Sequence, residues 1–260
     1  MDISLTKQNL ESTLLQQNFE ESFDEEKLIL MYKQMAEGYV KIDNSIAVLS
    51  DFAKDKSYIY MGDLGHIFGL SLFNKTSIDS AFEDCIFQRI HPEDLIQRHI
   101  LELRYFQFQN NTPKEDKNKY NTQCLIRILD LENNYRYIVH KTYYLDSLPN
   151  GSTWLALCLY SIDTEQHLQD GINGKIINNA TGAIIPLNEY SRYDKTILSR
   201  RELDVLKLVA QGDGSKQIAE KLNIAVYTVY RHRQNIIQKL KVANAAEAVK
   251  TAFAMKIINV

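Results

Sequence analysis

The chain has 260 residues, 45% of them apolar and 24% charged, so it has the length and composition of two globular domains. No apolar run approaches the roughly 18 residues of a membrane helix, and the polar, acidic start is unlike a signal peptide. Cys85, Cys124 and Cys158 are far apart and form no C-x-x-C pair, which argues against a disulfide framework and a zinc site. We therefore expect a cytoplasmic protein without a membrane association.

The net charge of −3 is unevenly distributed along the chain. Residues 198–260 hold 11 Lys and Arg against 5 Asp and Glu, a net of +6, whereas residues 1–197 hold 19 against 28, a net of −9. A basic segment favours contact with DNA, because counterion release from the phosphates drives binding. A solvated helix surface explains such a bias about as often, so charge alone leaves both interpretations open.

The first predicted element is a helix between Asp24 and Tyr39, within an N-terminal helical segment of residues 1–41. Its apolar residues recur at spacings of three and four, which marks one helix face. They are Leu28, Met31, Tyr32, Met35 and Tyr39. Packing of this face on the following domain is favoured over a dedicated dimer helix, although the two are compatible.

Residues 42–165 have the pattern of an α+β domain, an antiparallel sheet with helices. Glycines break residues 61–70 into short helical pieces, and a helix begins after Pro92, with acids in its first turn. Strands are expected at 46–50 and 56–60, on either side of Asn133-Asn134 within 123–145, and within 152–163.

This α+β segment resembles a PAS domain with long final hairpins. The resemblance rests on HPED at 91–94 after Phe87 and Ile90, on the hairpin RILDLENNYRYIV, and on a last strand that runs into IDTE at 162–165. The hairpin turn departs from the family pattern, since Asn133-Asn134 replaces the usual charged residue and Gly. The resemblance implies a sensory or interaction domain whose signal is an unknown small molecule or protein.

No catalytic residue, metal site or cofactor is predicted. His91, His99 and the acids at 93–94 are explained by the helix that begins after Pro92 rather than by a metal or acid–base site. The segment DCIFQ around Cys85 resembles the flavin-binding motif of photosensory PAS domains, but it lacks the Asn before and the Arg after the cysteine. A buried structural thiol is therefore favoured, and the chain is not expected to be an enzyme.

Residues 166–197 are rich in Gly, Asn and polar residues, which predicts a linker with a small hairpin at 179–182. Residues 198–260 then predict an all-α domain of four helices. Ser199 and Glu202 form a capping box for the first helix, Gly212 ends it, and Ser215 is the expected cap of the second.

The third helix of this domain begins after a turn at 223–225. A short helix, a tight turn with small Ala219 at the contact, and a longer helix match the helix-turn-helix plan. The outward side of the third helix has no acidic residue, as a DNA-reading helix requires. It presents Tyr227, Thr228, Tyr230, Arg231, Gln234, Asn235 and Gln238.

The run LSRRELDVLKLVAQGDGSKQIAEKLNIAVYTVYRHRQNIIQKLKV strongly resembles the LuxR-type helix-turn-helix, without a gap. By that resemblance, Tyr230, Arg231 and Gln234 lie where base-reading side chains occur. The residues implied in phosphate binding are Ser215, Lys216, Thr228, His232, Arg233 and Lys239. Three positions depart from the family pattern: Ala225 for the usual Ser or Thr cap, Tyr230 for Lys, and Ala245 for Arg.

The sequence therefore predicts a DNA-binding transcription regulator controlled by a PAS-like domain, acting as a homodimer on double-stranded DNA. RNA polymerase is a further candidate partner. The alternatives are a PAS-based adaptor with weak non-specific DNA binding, and a light or redox sensor that holds a cofactor. At the level of residues, Arg231 could be a solvent-facing residue with no role, His232 an interior or capping histidine, and Lys239 a partner of the helix C-terminus.

Overall fold

The computed structural model describes residues 3–19, 25–70, 77–164, 171–186, 198–240, 242, 244–254 and 257–258. The chain divides into two compact units, one of residues 7–185 and one of residues 186–260 together with residues 1–6. None of the helices in the described part of the chain is both long and apolar enough to cross a membrane.

The larger unit, the sheet domain, combines an antiparallel sheet with helices, so the predicted α+β class is confirmed. Its helices are α1 (Ile3–Leu15, whose first residues belong to the other unit), α2 (Glu25–Asp43), α3 (Asp63–Ile67), α4 (Asp84–Phe87) and α5 (Pro92–Asn110). Its strands are β1 (Ile46–Asp51), β2 (Lys56–Met61), β3 (Ser77–Ile78), β4 (Tyr120–Leu129), β5 (Tyr135–Ser147), β6 (Thr153–Ile162) and β7 (Lys175–Asn178).

The seven strands have the order β3-β2-β1-β6-β5-β4-β7, with every neighbouring pair antiparallel. The turn between β4 and β5 holds Asn133 at φ +62°, a left-handed conformation that Asn tolerates well. The Asp130 side chain accepts hydrogen bonds from the amides of Glu132 and Asn134, both at 2.9 Å. The Asn-Asn pair therefore suits this tight turn, as the sequence predicted.

Helix α2 packs on one face of the sheet through a stripe that coincides only in part with the predicted one, since Leu28 and Tyr32 do pack there. Ile29, Ala36 and Val40 are buried against β1 and β6, whereas Met31 and Met35 remain 42% and 59% exposed. Assigning Met31 and Met35 to the inward face was therefore wrong. The helix has two adjacent apolar stripes with the same spacing, and spacing alone does not tell which of them meets the sheet.

The segment predicted as a linker contributes a strand. β7 pairs with residues 120–123 of β4, and a bridge between Ile177 and Ile184 closes the small hairpin expected at 179–182. Gly182 lies in this turn at φ +72°. Sheet pairing thus extends into the predicted linker because the free edge of β4 accepts a further strand. Residues 165–170 and 187–197 lie outside the described residues.

The smaller unit holds four helices in the part of the chain that the structure describes: α6 (Arg200–Ala210), α7 (Ser215–Leu222), α8 (Val226–Leu240) and α9 (Ala245–Ala254). The predicted capping box of α6 is confirmed, since Glu202 N–H donates to Ser199 Oγ at 3.3 Å and Ser199 N–H donates to Glu202 Oε2 at 2.7 Å. Gly212 follows this helix at φ +89°.

The expected cap of α7 was placed one residue too late. Gly214 is the N-cap and Ser215 is already the first helical residue. Gly214 N–H donates to the Gln217 side chain at 2.8 Å, so half of a capping box forms without a side chain at the cap itself. Glycine is accepted at N-caps, although the sequence signal of Ser is stronger there.

Candidate nucleic-acid interface

Helices α7 and α8 form the pair expected of a helix-turn-helix. Asn223 ends α7 in the left-handed conformation at φ +51°, and the Ile224 amide then donates to the carbonyl of Ala219 at 3.0 Å. Ala219 is buried, as a small residue must be where two helices approach closely. The chain therefore turns within three residues and enters α8 at Val226.

Helix α8 has one buried side and one exposed side. The buried residues of this helix are Val229, Ile236 and Leu240. Opposite them Tyr227 is 77% exposed and Tyr230 is 55% exposed. No carboxylate occurs anywhere in α8, so the exposed side combines aromatic, amide and cationic groups without a negative charge that would repel phosphate.

The three residues predicted to read bases, Tyr230, Arg231 and Gln234, are all exposed in the structure. Their spacing of one and four positions sets Tyr230 and Gln234 one above the other on the helix surface, with Arg231 beside them. Arg231 and Gln234 carry groups that pair with base edges in the major groove. Their contacts with bases stay a prediction.

The residues predicted to bind phosphate lie in different environments. Lys216 is exposed at the start of α7, whereas Thr228 is half-buried. Arg233 Nη1 donates to Ser215 Oγ at 3.4 Å, which ties α8 to the beginning of α7. This interhelical contact was not foreseen from the sequence, because eighteen residues separate the partners.

His232 is half-buried, and its Nδ1 atom is buried without a hydrogen-bond partner among the described residues. One ring nitrogen of His232 therefore faces the protein interior. The interior and phosphate-binding interpretations concern different atoms of one ring and are compatible with each other.

Lys239 makes an ion pair that its sequence context did not suggest. Its ammonium donates to Glu202 Oε2 at 2.7 Å, the same oxygen that accepts the Ser199 amide. Burial would raise the pKa of Glu202, but the hydrogen bonds from Lys239 and Ser199 outweigh it and hold the pKa below its ordinary value. Lys239 thereby joins the end of α8 to the beginning of α6.

Comparison with known families agrees with this geometry. Residues 196–252 match the family of bacterial regulatory proteins, luxR family. This match confirms the resemblance drawn from the sequence, and the C-terminal segment is a LuxR-type helix-turn-helix domain. The matched family is one of regulatory proteins, in line with the expectation of a chain that is not an enzyme.

A relative by sequence is the oxygen regulatory protein NreC of Staphylococcus carnosus (strain TM300), which is 32% identical over 143 residues. The match covers 52% of this chain and 64% of NreC, so the chain spans less than two thirds of that relative.

Two solved structures are also similar. The transcription factor GerE is 28% identical, with 24% of this chain and 94% of that chain covered and a TM-score of 0.24. The phage VqmA-DPO complex is 14% identical, with 92% and 93% covered and a TM-score of 0.33.

Proposed function

We propose that the protein is a sequence-specific, DNA-binding transcription regulator that acts in the cytoplasm and whose PAS-like domain, residues 42–165, controls DNA binding by residues 198–260. The observation that carries this proposal is the exposed, acid-free side of α8, within a segment that matches the LuxR family. The signal is an unknown small molecule or protein that binds the PAS-like domain, and RNA polymerase is a candidate partner on the promoter.

In this proposal α8 enters the major groove and Arg231 forms two hydrogen bonds with O6 and N7 of a guanine. Gln234 pairs with an adenine edge, and the ring of Tyr230 packs against a thymine methyl group. Each good base contact discriminates against the wrong base by about 1–3 kcal/mol. Arg231 is the residue on which sequence preference depends most.

Lys216 and Thr228 hold the phosphates on either side of the groove, with the exposed part of His232. Such contacts set the position of the protein on the duplex but carry no sequence information. Arg233 and Ser215 contact each other, so we assign them to fixing the angle between α7 and α8 as well as to phosphate binding.

A helix-turn-helix protein usually binds two half-sites about one DNA turn apart as a dimer. We therefore expect two copies of the chain on an inverted repeat. The mass of the complex at saturating DNA tests this point, and a single chain on the selected site would contradict it.

Selection of genomic DNA fragments by the purified full-length protein tests the proposal. The wild type is expected to enrich an inverted repeat, and Arg231→Ala is expected to lose or relax that preference. Arg201→Ala is the matched control, because Arg201 is an exposed arginine of the same unit that lies on α6 rather than on α8. It should enrich the same sequence as the wild type.

If the wild type enriches no sequence, the segment of residues 190–260 is tested in the same selection, because the sensor domain can hold back DNA binding without its signal. No enrichment by that segment either would contradict the proposal and favour an adaptor with non-specific DNA affinity. An unchanged preference in Arg231→Ala would remove this residue from base reading while leaving DNA binding in place.

A further inference from the structure

The core of the sheet domain contains a cluster of polar side chains that the DNA-binding proposal does not use. Side chains alternate between the two faces of a sheet, and one face of β5 and β6 lies towards α5. The cluster residues, all at most 5% exposed, are Glu83, Arg98, Glu102, His140, Thr142, Cys158 and Tyr160. A core this polar is unusual, because charged groups are rarely buried unless they are paired.

Three members of the cluster offer metal-ligating atoms that lie close together. A carboxylate oxygen of Glu83, a ring nitrogen of His140 and Sγ of Cys158 all lie within 4.8 Å of one another. His140 Nδ1 lies 3.7 Å from Cys124 Sγ, and Nε2 is buried without a hydrogen-bond partner among the described residues. An unsatisfied buried polar group costs about 1–3 kcal/mol, so a bound group that occupies Nε2 would stabilise the fold.

We propose that Glu83, His140 and Cys158 bind a divalent transition-metal ion of the Zn²⁺ type in the core of the sheet domain. Oxygen, nitrogen and sulfur donors are the set that Zn²⁺ accepts in proteins. Three protein ligands leave one position of a tetrahedral site to a fourth ligand. Ligand atoms around tetrahedral Zn²⁺ lie roughly 3.5 Å apart, so the side chains move inward by up to about 1 Å.

The neighbouring residues can hold the proposed ligands in position through hydrogen bonds. Glu83 Oε1 accepts hydrogen bonds from Tyr160 Oη at 2.6 Å and from Arg98 Nη2 at 2.8 Å. Cys158 Sγ lies 3.7 Å from both Arg98 Nη2 and Thr142 Oγ1. Donors of this kind fix ligating carboxylates and thiolates in position and tune the metal affinity.

A guanidinium lies beside the proposed ion. Arg98 Nη1 is 3.3 Å from Glu102 Oε2, so Glu102, when ionised, is its counter-charge. A divalent ion is neutralised by the Glu83 carboxylate and the Cys158 thiolate. Binding of the ion to the Cys158 sulfur displaces the proton of the thiol.

The sequence contained no signal for this site. Its residues are 57 and 18 positions apart, on the segment before α4 and on two strands, and no spacing motif joins them. The register places His140 beside Tyr160 and Thr142 beside Cys158, so pairing of β5 with β6 is what brings two of the ligands together.

Titration of the full-length protein with Co²⁺, a spectroscopic substitute for Zn²⁺, tests the proposal. The expected result is one ion per chain, with a thiolate-to-cobalt charge-transfer band and the visible bands of tetrahedral coordination. The matched control is the double variant Cys85→Ser, Cys124→Ser, in which Cys158 is the remaining thiol. It should retain the band, and Cys158→Ser should lose it.

A third variant changes a hydrogen bond to a proposed ligand without removing the ligand. Tyr160→Phe keeps the ring but deletes the hydrogen bond to Glu83, and we expect its Zn²⁺ affinity to fall about 10–100-fold in competition with a chelator. Absence of stoichiometric Co²⁺ binding by the wild type would overturn the proposal. Loss of the charge-transfer band in the double variant would also overturn it, even if Cys158→Ser does not fold.

Discussion

On α8 the polar side chains proposed to read bases are exposed, whereas in the sheet domain a cluster of polar side chains lies in the core. Tyr230 is 55% exposed on α8, while Arg98 is 2% exposed under β5 and β6. In the proposed function the outward groups act on a partner as large as DNA, and they contribute little to folding. The inward groups determine stability first, because buried charges are costly unless they are paired.

The largest effect that this contrast predicts is on Arg98. Arg98→Met removes the guanidinium between Glu83 and Glu102 and leaves their carboxylates buried without a cation. Loss of one partner of a buried ion pair costs about 3–5 kcal/mol of unfolding free energy. Trp154 is the single tryptophan of the chain and is buried in the sheet domain, so its fluorescence during urea unfolding measures this loss.

Lys41→Met is the control for that variant. Its ammonium pairs with Glu37 at 2.8 Å on the exposed side of α2, and exposed pairs of this kind contribute roughly 0.3–0.5 kcal/mol. Equal losses in the two variants would remove the distinction between the buried cluster and the surface.

The second prediction concerns pH. Burial raises the pKa of Glu102 to about 7, despite the opposing charge of Arg98, whereas the unfolded chain has the ordinary value near 4.5. The folded state therefore binds more protons between these two values, and stability falls as the pH rises through this window, by up to about 3 kcal/mol. The Glu102→Gln variant should not show this loss of stability, because glutamine does not ionise.

Unfolding of the metal-free wild type and Glu102→Gln at pH 5 and pH 8 measures the effect, since other titrating groups cancel between the two proteins. The unfolding free energy of Glu102→Gln minus that of the wild type should be larger at pH 8 than at pH 5. A difference that does not change with pH would show that Glu102 ionises normally in the fold.

The third prediction separates structural from DNA-binding lysines in the smaller unit. Lys239 is bound to Glu202, whereas Lys216 is exposed. Lys216→Gln should reduce the slope of log K against log salt concentration by about 0.9, the value for one phosphate contact. Lys239→Gln should leave this slope unchanged and instead destabilise the unit by about 1–3 kcal/mol.

Binding measured at several salt concentrations distinguishes the two variants. A reduced slope for Lys239→Gln would show that its ammonium leaves Glu202 for a phosphate when DNA binds.

The features of this molecule that the sequence predicts are those that depend on residues close together in the chain. The capping box at Ser199, the turn after α7 and the exposed side of α8 each depend on residues within a few positions of one another. The ion pair of Lys239 with Glu202 spans 37 residues, and the cluster around Arg98 comes from several elements. Such contacts follow from packing and strand register, which spacing does not encode.

Local spacing also predicts helix ends and buried helix faces incompletely. Ser215 has the residue type of a cap, but the helix begins one residue earlier because Gly214 takes the cap position. Met31 and Met35 likewise have the spacing of a buried face and are exposed, since a neighbouring stripe of α2 meets the sheet.

The smallest predicted effect is at the cap of α6. Ser199→Ala removes one half of the capping box and should cost about 1 kcal/mol, which speeds amide exchange in the first turn of α6 roughly fivefold. Ser215→Ala is the comparison, because this hydroxyl does not cap α7. Among the described residues it accepts only the 3.4 Å hydrogen bond from Arg233, so amide exchange in the first turn of α7 should accelerate less than in α6. Equal acceleration in α6 and α7 would restore Ser215 as a cap.

The central claim is that α8 reads sequence, and the ratio of specific to non-specific DNA affinity tests it most directly. This ratio is measured for the wild type and Arg231→Ala on the selected inverted repeat and on a scrambled duplex, at near-physiological salt. We predict that the free-energy difference between specific and non-specific binding falls by about 1–3 kcal/mol per contacted half-site. The affinity for the scrambled duplex should change much less. An equal loss of affinity on both duplexes would contradict the claim, because Arg231 would then contact phosphate rather than a base.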